Sequence, residues 1–196
     1  MAYNPQDFYF KKAKKENYLA RSVYKLEAID KKFKLFRSGM FVLDLGASPG
    51  SWSQYASKKV GEKGLVFAID LTELKLSEPN IVCATGDATV YDYASEFQKL
   101  GRHSQVDLLI SDMAPKTTGI RFTDQARSAQ LVEFVVQLSD TTLKPGGHMV
   151  AKLFHSDDFK ELKTEMLKRF EKFEAVKPES TRKESKEIFL IGLNKK

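Results

Sequence analysis

The sequence predicts a single α/β domain in which helices cover both faces of a mostly parallel sheet. Three observations lead there. Short apolar runs alternate with helix-like segments through the middle of the chain, the pattern of repeated βα units. The last two runs, Phe173 to Val176 and Glu187 to Leu193, follow one another with no helix between them, which predicts an antiparallel pair at one edge. At 196 residues, 42% hydrophobic and with 22 Phe, Tyr and Trp, the chain has enough apolar volume for one core.

Taken in order, helical character runs from about Tyr18 to Phe33. Next comes FVLDLGASPGSWSQYASKKVG, which reads strand, tight loop, helix: Phe41, Val42 and Leu43 are strand-like, Gly46 and Pro49-Gly50 mark a turn, and Ser51 to Val60 is helical up to Gly61. A second strand, Leu65 to Ile69, ends on Asp70, and a third, Ile81 to Ala84, leads to Gly86-Asp87. Val106 to Ile110 ends in Ser111-Asp112-Met113-Ala114-Pro115. A helix from Asp124 to Leu143 follows and stops at Lys144-Pro145-Gly146-Gly147. His148 to Phe154, carrying Lys152, is the next strand, and Asp158 to Phe170 the next helix.

Charge is unevenly placed. Residues 1–38 hold ten bases against four acids, an excess equal to the +6 of the whole chain, while the other 158 residues balance. A basic segment with Tyr3, Phe8, Tyr9, Phe10, Tyr18 and Tyr24 interleaved suits a polyanion with exposed bases, so 1–38 reads as a helical RNA-binding segment ahead of a catalytic domain over 39–196. The plainer reading is a solvated lysine face with core aromatics. TRKESK supplies a second basic loop. No apolar stretch nears the ~20 residues of a membrane span, and no signal-like h-region follows the first charges. Cys83 is alone, which fits a reducing, cytoplasmic setting. His103, His148 and His155 with that cysteine lack metal-ligand spacing, so no metal is expected.

In an open parallel sheet, ligands bind beyond the carboxyl ends of the strands. Asp70, Asp87 and Asp112 fall there, and Asp44 lies within the first strand. Asp70 is 20 residues past Gly50, the offset at which a carboxylate meets ribose hydroxyls. Gly46-Ala47-Ser48-Pro49-Gly50 is not the G-x-G-x-x-G of a dinucleotide site, which disfavours a nicotinamide oxidoreductase. A cofactor with ribose and adenine but no phosphate fits better, and S-adenosylmethionine is such a molecule. Each acid by itself also reads as a turn or cap residue; the ordered set is explained less well that way. Asp112 and Lys152 end consecutive strands that should be neighbours, bringing a carboxylate and an amine into one cleft. The Asp-Met-Ala-Pro run lacks the aromatic that methylases of planar amines place there. A lysine suits removal of a hydroxyl proton instead, and Lys25 is a candidate second cation.

These stretches together resemble the FtsJ/RrmJ family of RNA 2′-O-ribose methyltransferases from Arg21 to Leu193. The likeness is carried by RSVYKL around Lys25, LFRSGMFVLDLGASPGSWSQY, Asp70, the GD at Asp87, SDMAP at Asp112, LKPGGHMVAKLF around Lys152 and KPESTRKESKEIFLIG around Glu187. The resemblance implies a Rossmann-like methyltransferase fold of seven strands and a catalytic tetrad of Lys25, Asp112, Lys152 and Glu187. In it Lys152 is the base, Asp112 orients it and the methyl donor, and Lys25 and Glu187 position the ribose. It also implies contacts to S-adenosylmethionine from Gly50, Trp52, Asp70, Asp87 and Asp112, with Asp70 on the ribose diol and Asp87 at the adenine end. Two positions depart from the family's habit: Ser51 stands where Gly is common, and Lys116 where Asn follows SDMAP.

Lacking a long C-terminal extension or an S4-type domain, the chain is similar to the compact bacterial and mitochondrial branch. That branch implies a monomeric enzyme methylating a uridine of large-subunit ribosomal RNA during ribosome maturation. The motifs begin near Arg21, which leaves little room for an Arg-rich transit peptide. The tRNA 2′-O-methylating branch shares the tetrad and remains an alternative. So does a ribosome-assembly factor that binds RNA without turnover, although a complete tetrad argues against it.

Overall fold

The computed structural model describes residues 8–102, 105–182 and 184–196. Tyr3, Asp7, His103 and Lys183, which the sequence reading used, lie outside the described residues.

The elements are α1 (Phe8–Lys15), α2 (Val23–Phe33), β1 (Phe41–Leu45), α3 (Ser51–Val60), β2 (Leu65–Asp70), β3 (Ile81–Thr85), α4 (Tyr93–Lys99), β4 (Val106–Ser111), α5 (Arg121–Thr142), β5 (Leu143–Phe154), α6 (Phe159–Arg169), β6 (Phe170–Val176) and β7 (Glu187–Lys195). They form one seven-stranded sheet in the order β3-β2-β1-β4-β5-β7-β6. All pairings are parallel except those of β7, which slots antiparallel between β5 and β6. The predicted antiparallel pair is therefore present at an edge, and the reversed strand is the inner of the two.

Side-chain alternation divides the core between two faces. Leu43, Phe67, Leu109, Ala151 and Leu190 point into a cluster with residues of α4, α5 and α6. Val42, Val66, Leu108, Val150 and Ile191 point the other way, into a cluster shared with α1, α2 and α3. Residues 8–38 thus supply Ala13, Val23, Tyr24, Leu26, Ile29 and Leu35 to the same core as the sheet.

Three differences from the sequence reading have local causes. The helix expected from Tyr18 begins only at Val23, and a separate α1 precedes it, ended by Asn17 in a left-handed conformation (φ 59°). Helix α4 was not expected. Its start is capped by Asp92, whose carboxylate accepts from the Ser95 amide at 3.1 Å, while Tyr93 and Phe97 bury one face. Strand β5 begins at Leu143 instead of His148: Leu143 lies opposite Val106 and His148 opposite Leu108, so Lys144-Pro145-Gly146-Gly147 ends α5 and sits in an irregular stretch of strand.

Among the described residues no helix is long and apolar enough to cross a membrane.

Candidate active site

The carboxyl ends of β3, β2, β1, β4 and β5 are aligned. The last registered rows pair Ile69 with Leu45, Leu45 with Ser111, and Ser111 with Ala151. One residue further on stand Asp70, Gly46, Asp112 and Lys152, all on the α2/α3 face by alternation. Main-chain bonds continue the ladder at this level: the Gly46 amide donates to Ile69 O at 3.0 Å and the Asp112 amide to Leu45 O at 3.1 Å. Thr85 pairs with Asp70 at one end of the row and Phe189 with Lys152 at the other.

Two glycines shape the loop over this row. Gly46 has φ +70°, and a Cβ there would come within 2.9 Å of the Met113 backbone, so only glycine lets β1 turn this close to the chain leaving β4. Gly50, at φ +116°, precedes α3, and a Cβ on it would meet Leu76 at 2.7 Å. The amides of the first turn of α3 have no intrahelical acceptors and are left facing the loop, a setting that favours electron-rich groups. Asp70 ties the loop down, accepting from the Ser48 amide at 3.0 Å and the Thr72 amide at 2.8 Å. Asp87 is exposed two residues beyond β3. The Thr89 amide and hydroxyl hold its carboxyl below the usual range.

Four charged side chains form two pairs on this same face. Lys152, only 9% exposed, donates to the Asp112 carbonyl and lies 2.9 Å from Asp112 Oδ1, in ion-pair contact but off the direction of a hydrogen bond. Lys25 is 2.5 Å from Glu187 Oε1. Phe189 joins the pairs: it lies opposite Lys152 in the ladder, and the Lys25 ammonium sits 6.0 Å from its ring centroid. Glu187, two residues before Phe189, is therefore a diagonal neighbour of Lys152, roughly 7–8 Å away between backbones.

Lys25 comes from α2, and two clips hold that helix against α3. At its start, the Trp52 indole N–H donates to the Ser22 carbonyl at 2.9 Å, and Ser22 and Ser51 hydroxyls are 3.0 Å apart. At its end, buried Asp30 accepts from the Leu35 amide at 3.0 Å and, through its other oxygen, from Tyr55 at 2.8 Å, with Lys59 at 2.9 Å. Burial alone raises the Asp30 carboxyl; the hydrogen bonds from Lys59, Tyr55 and Phe36 outweigh it and leave it lowered.

The predicted residues thus gather at one end of the sheet, with one refinement. Trp52 is buried, and its ring packs 5.7 Å from Phe189, so its side chain braces α2 and β7 while its amide belongs to the loop. Asp44, noticed in the sequence only as a strand residue, is fully buried beneath the row. Burial pushes its carboxyl up to about 8 despite a 2.6 Å bond from Ser53; Asp112 and Asp70 add to the rise. Its Oδ1 has no partner. The signal for this was present: a charge inside an apolar strand run.

A family model described as FtsJ-like methyltransferase matches residues 18–195, nearly the whole chain and every residue of the row. The chain belongs to the FtsJ-like methyltransferase family. Among its relatives, "Ribosomal RNA large subunit methyltransferase E" of Bdellovibrio bacteriovorus is 58% identical over 196 residues, covering 100% of both chains. A solved Plasmodium falciparum structure proposed to be a ribosomal RNA methyltransferase superposes with a TM-score of 0.80 at 23% identity, covering 91% of this chain and 98% of that one. Aeropyrum pernix fibrillarin, solved with S-adenosyl-L-methionine natively bound, gives 0.60 at 17% identity over 88% and 76%. At those identities the two structures speak for the fold alone, a Rossmann-like methyltransferase sheet.

Proposed function

We propose that this chain transfers a methyl group from S-adenosylmethionine to the ribose 2′-oxygen of a uridine in large-subunit ribosomal RNA, as a step in ribosome maturation. The observation that carries the reading is the meeting of two lysine–carboxylate pairs, Lys152 with Asp112 and Lys25 with Glu187, beside a glycine-lined loop at the strand ends. The name of the Bdellovibrio relative supports ribosomal RNA as the substrate class, and the ligand in fibrillarin supports the donor.

The residues fit that donor. Gly46 and Gly50 let the β1–α3 loop turn tightly against Met113 and Leu76, the first-turn amides of α3 including that of Trp52 lack intrahelical acceptors, and Asp70, Asp87 and Asp112 stand at or just beyond the strand ends. Asp70 is assigned to the ribose diol and Asp87 to the adenine end. When bound, S-adenosylmethionine supplies a methyl group already activated by its sulfonium charge. Lys152 Nζ takes the 2′-hydroxyl proton as that oxygen attacks the methyl carbon, and Asp112 aims Lys152. Lys25, fixed by Glu187, holds the ribose in place. General base assistance of this kind contributes ~10² to 10⁴-fold, with positioning supplying much of the rest. Residues 8–38 carry exposed Lys11, Lys14 and Lys15 and form the RNA-facing part of the molecule. Cys83 is an exposed free thiol, suited to a reducing compartment, and we place the enzyme in the cytoplasm.

The test is transfer of labelled methyl from S-adenosylmethionine to large-subunit RNA, assembled large subunits and tRNA in parallel. Label in ribosomal RNA or subunits is expected. Label confined to tRNA would move the enzyme to the other substrate branch, and a chain that binds donor but labels nothing would overturn the reading.

A further inference from the structure

A cavity of about 590 Å³ lies not at the row of charged residues but on the opposite face of the same end of the sheet. Its walls are the start of α5, the β5–α6 turn and the loop between β6 and β7. It shares a partition with the candidate active site: Lys186 and Ile188, which line it, flank Glu187, and His155, also lining it, follows Phe154, which is paired with Glu187. The two sites are back to back across the end of the β5–β7 ladder.

The lining selects the occupant. A phosphate site is walled by uncompensated cations, but here Arg121, Lys177 and Lys186 are matched by Asp157, Asp158 and Glu184. A neutral group with hydrogen-bonding edges fits that balance. Phe122 lies at the mouth and is 82% exposed, with Ile120 beside it 63% exposed. Exposed apolar side chains are ordinary when scattered, and Leu71 and Val90 are just as bare. What distinguishes Phe122 is its place on a cavity of small-ligand size and the anchoring of the turn before it. Asp124 accepts from the Thr118 amide at 2.7 Å, the Thr118 hydroxyl at 2.8 Å and the Gly119 amide at 3.2 Å, so the ring is presented from a fixed backbone.

We propose that this cavity receives one unpaired nucleobase of the RNA substrate, next or near in sequence to the methylated nucleotide, with Phe122 stacking on it. The proposal rests on RNA being the substrate. Single-stranded RNA is read by splaying bases onto aromatic side chains and hydrogen-bonding their edges, and a strand crossing the sheet edge can place a ribose on one face and a neighbouring base on the other.

The experiment uses the full chain and the shortest large-subunit RNA fragment that wild-type protein methylates, together with copies carrying one abasic site at each of the three nucleotides on either side of the target. Phe122→Ala should raise KM for RNA roughly 5- to 150-fold, the usual worth of one stacked base, far more than it lowers kcat, and Phe122→Trp should restore it. One abasic RNA should cost wild type a similar factor and cost Phe122→Ala nothing further. If wild type is active while Phe122→Ala keeps its KM within twofold, or if the abasic and Phe122→Ala losses simply add at every position, the cavity assignment fails and the methyltransferase reading stands. If wild type methylates no RNA, both fall. Because Phe122 is exposed, an unchanged melting temperature separates these outcomes from misfolding.

Discussion

Asp44 shows how much one residue costs and what sets its charge. Leu43 and Leu45, both fully buried, each stabilise β1 by roughly 1.5–3 kcal/mol. One unpaired buried polar atom costs about 1–3 kcal/mol, so the strand holds with a neutral Asp44 inside it. The folded carboxyl, at about 8, lies far above its ordinary 3.8. The native state therefore keeps a proton there that the unfolded chain has already released, and stability falls as pH rises from about 4 towards 8, by up to about 1.4 kcal/mol per pH unit from this residue. Asp44→Asn, which mimics the neutral form, should remove that slope. Melting temperatures across this range check it, and parallel curves for the two proteins would show Asp44 to be ionised in the fold. At this scale the sequence was readable where chemistry follows position along one strand. Asp112 and Lys152 both stand one residue beyond paired rows of parallel neighbours, so their meeting follows from strand order. The neutralisation of Lys12 by Glu16 and Glu27, at 3.8 and 4.0 Å, was not readable, because it depends on how α1 lies on α2.

Among the elements, α2 matters most to the site, since it delivers Lys25 to Glu187, 162 positions away in the chain. Its two clips to α3 explain how a helix outside the sheet holds a side chain at the strand ends. Asp30 touches only the lower clip. Asp30→Ala strips acceptors from two backbone amides and Tyr55, and should cost about 3 kcal/mol of stability; turnover should fall with it while donor binding, which depends on the β1–α3 loop, changes little. Urea unfolding and steady-state kinetics test this together, and full stability in the variant would show the clip to be idle. Local signals located α3 well, because its glycines and its register after β1 leave one reading. They placed the start of α2 too early, since Tyr18 to Ser22 has helical composition yet lies between the two helices, after the left-handed Asn17 that ends α1. Asp92 and the Tyr93/Phe97 spacing were a sufficient sign of α4, in a stretch too short to stand out by periodicity.

For the whole molecule, alternation of βα units and the closing pair of strands foretold the architecture, while the interleaving of β7 between β5 and β6 needed the folded chain. The interleaved aromatics of the basic segment turn out to be divided: Tyr24 is buried between Tyr9 and Tyr18, and Phe8 and Phe10 are exposed. The charge is divided too, with Lys12 and Lys31 paired to Glu27 and Lys11, Lys14 and Lys15 on the surface. Reversing those three surface lysines to Glu should weaken RNA binding and reduce the slope of log affinity against log salt by up to about 2, the value for three phosphate contacts on a single strand. Titrations at several salt concentrations measure it, and an unchanged slope would make the segment a solvated face. The central claim, that the paired lysines and carboxylates methylate a ribose oxygen, is tested most directly by the chemistry of the product. A methylated 2′-oxygen blocks alkaline cleavage of its own phosphodiester, so labelled large-subunit RNA should yield all its label in one alkali-resistant dinucleotide, with Lys152→Ala binding donor normally yet producing at least 10²-fold less. Label on a base, released as an ordinary mononucleotide, or near-normal turnover by Lys152→Ala would contradict it.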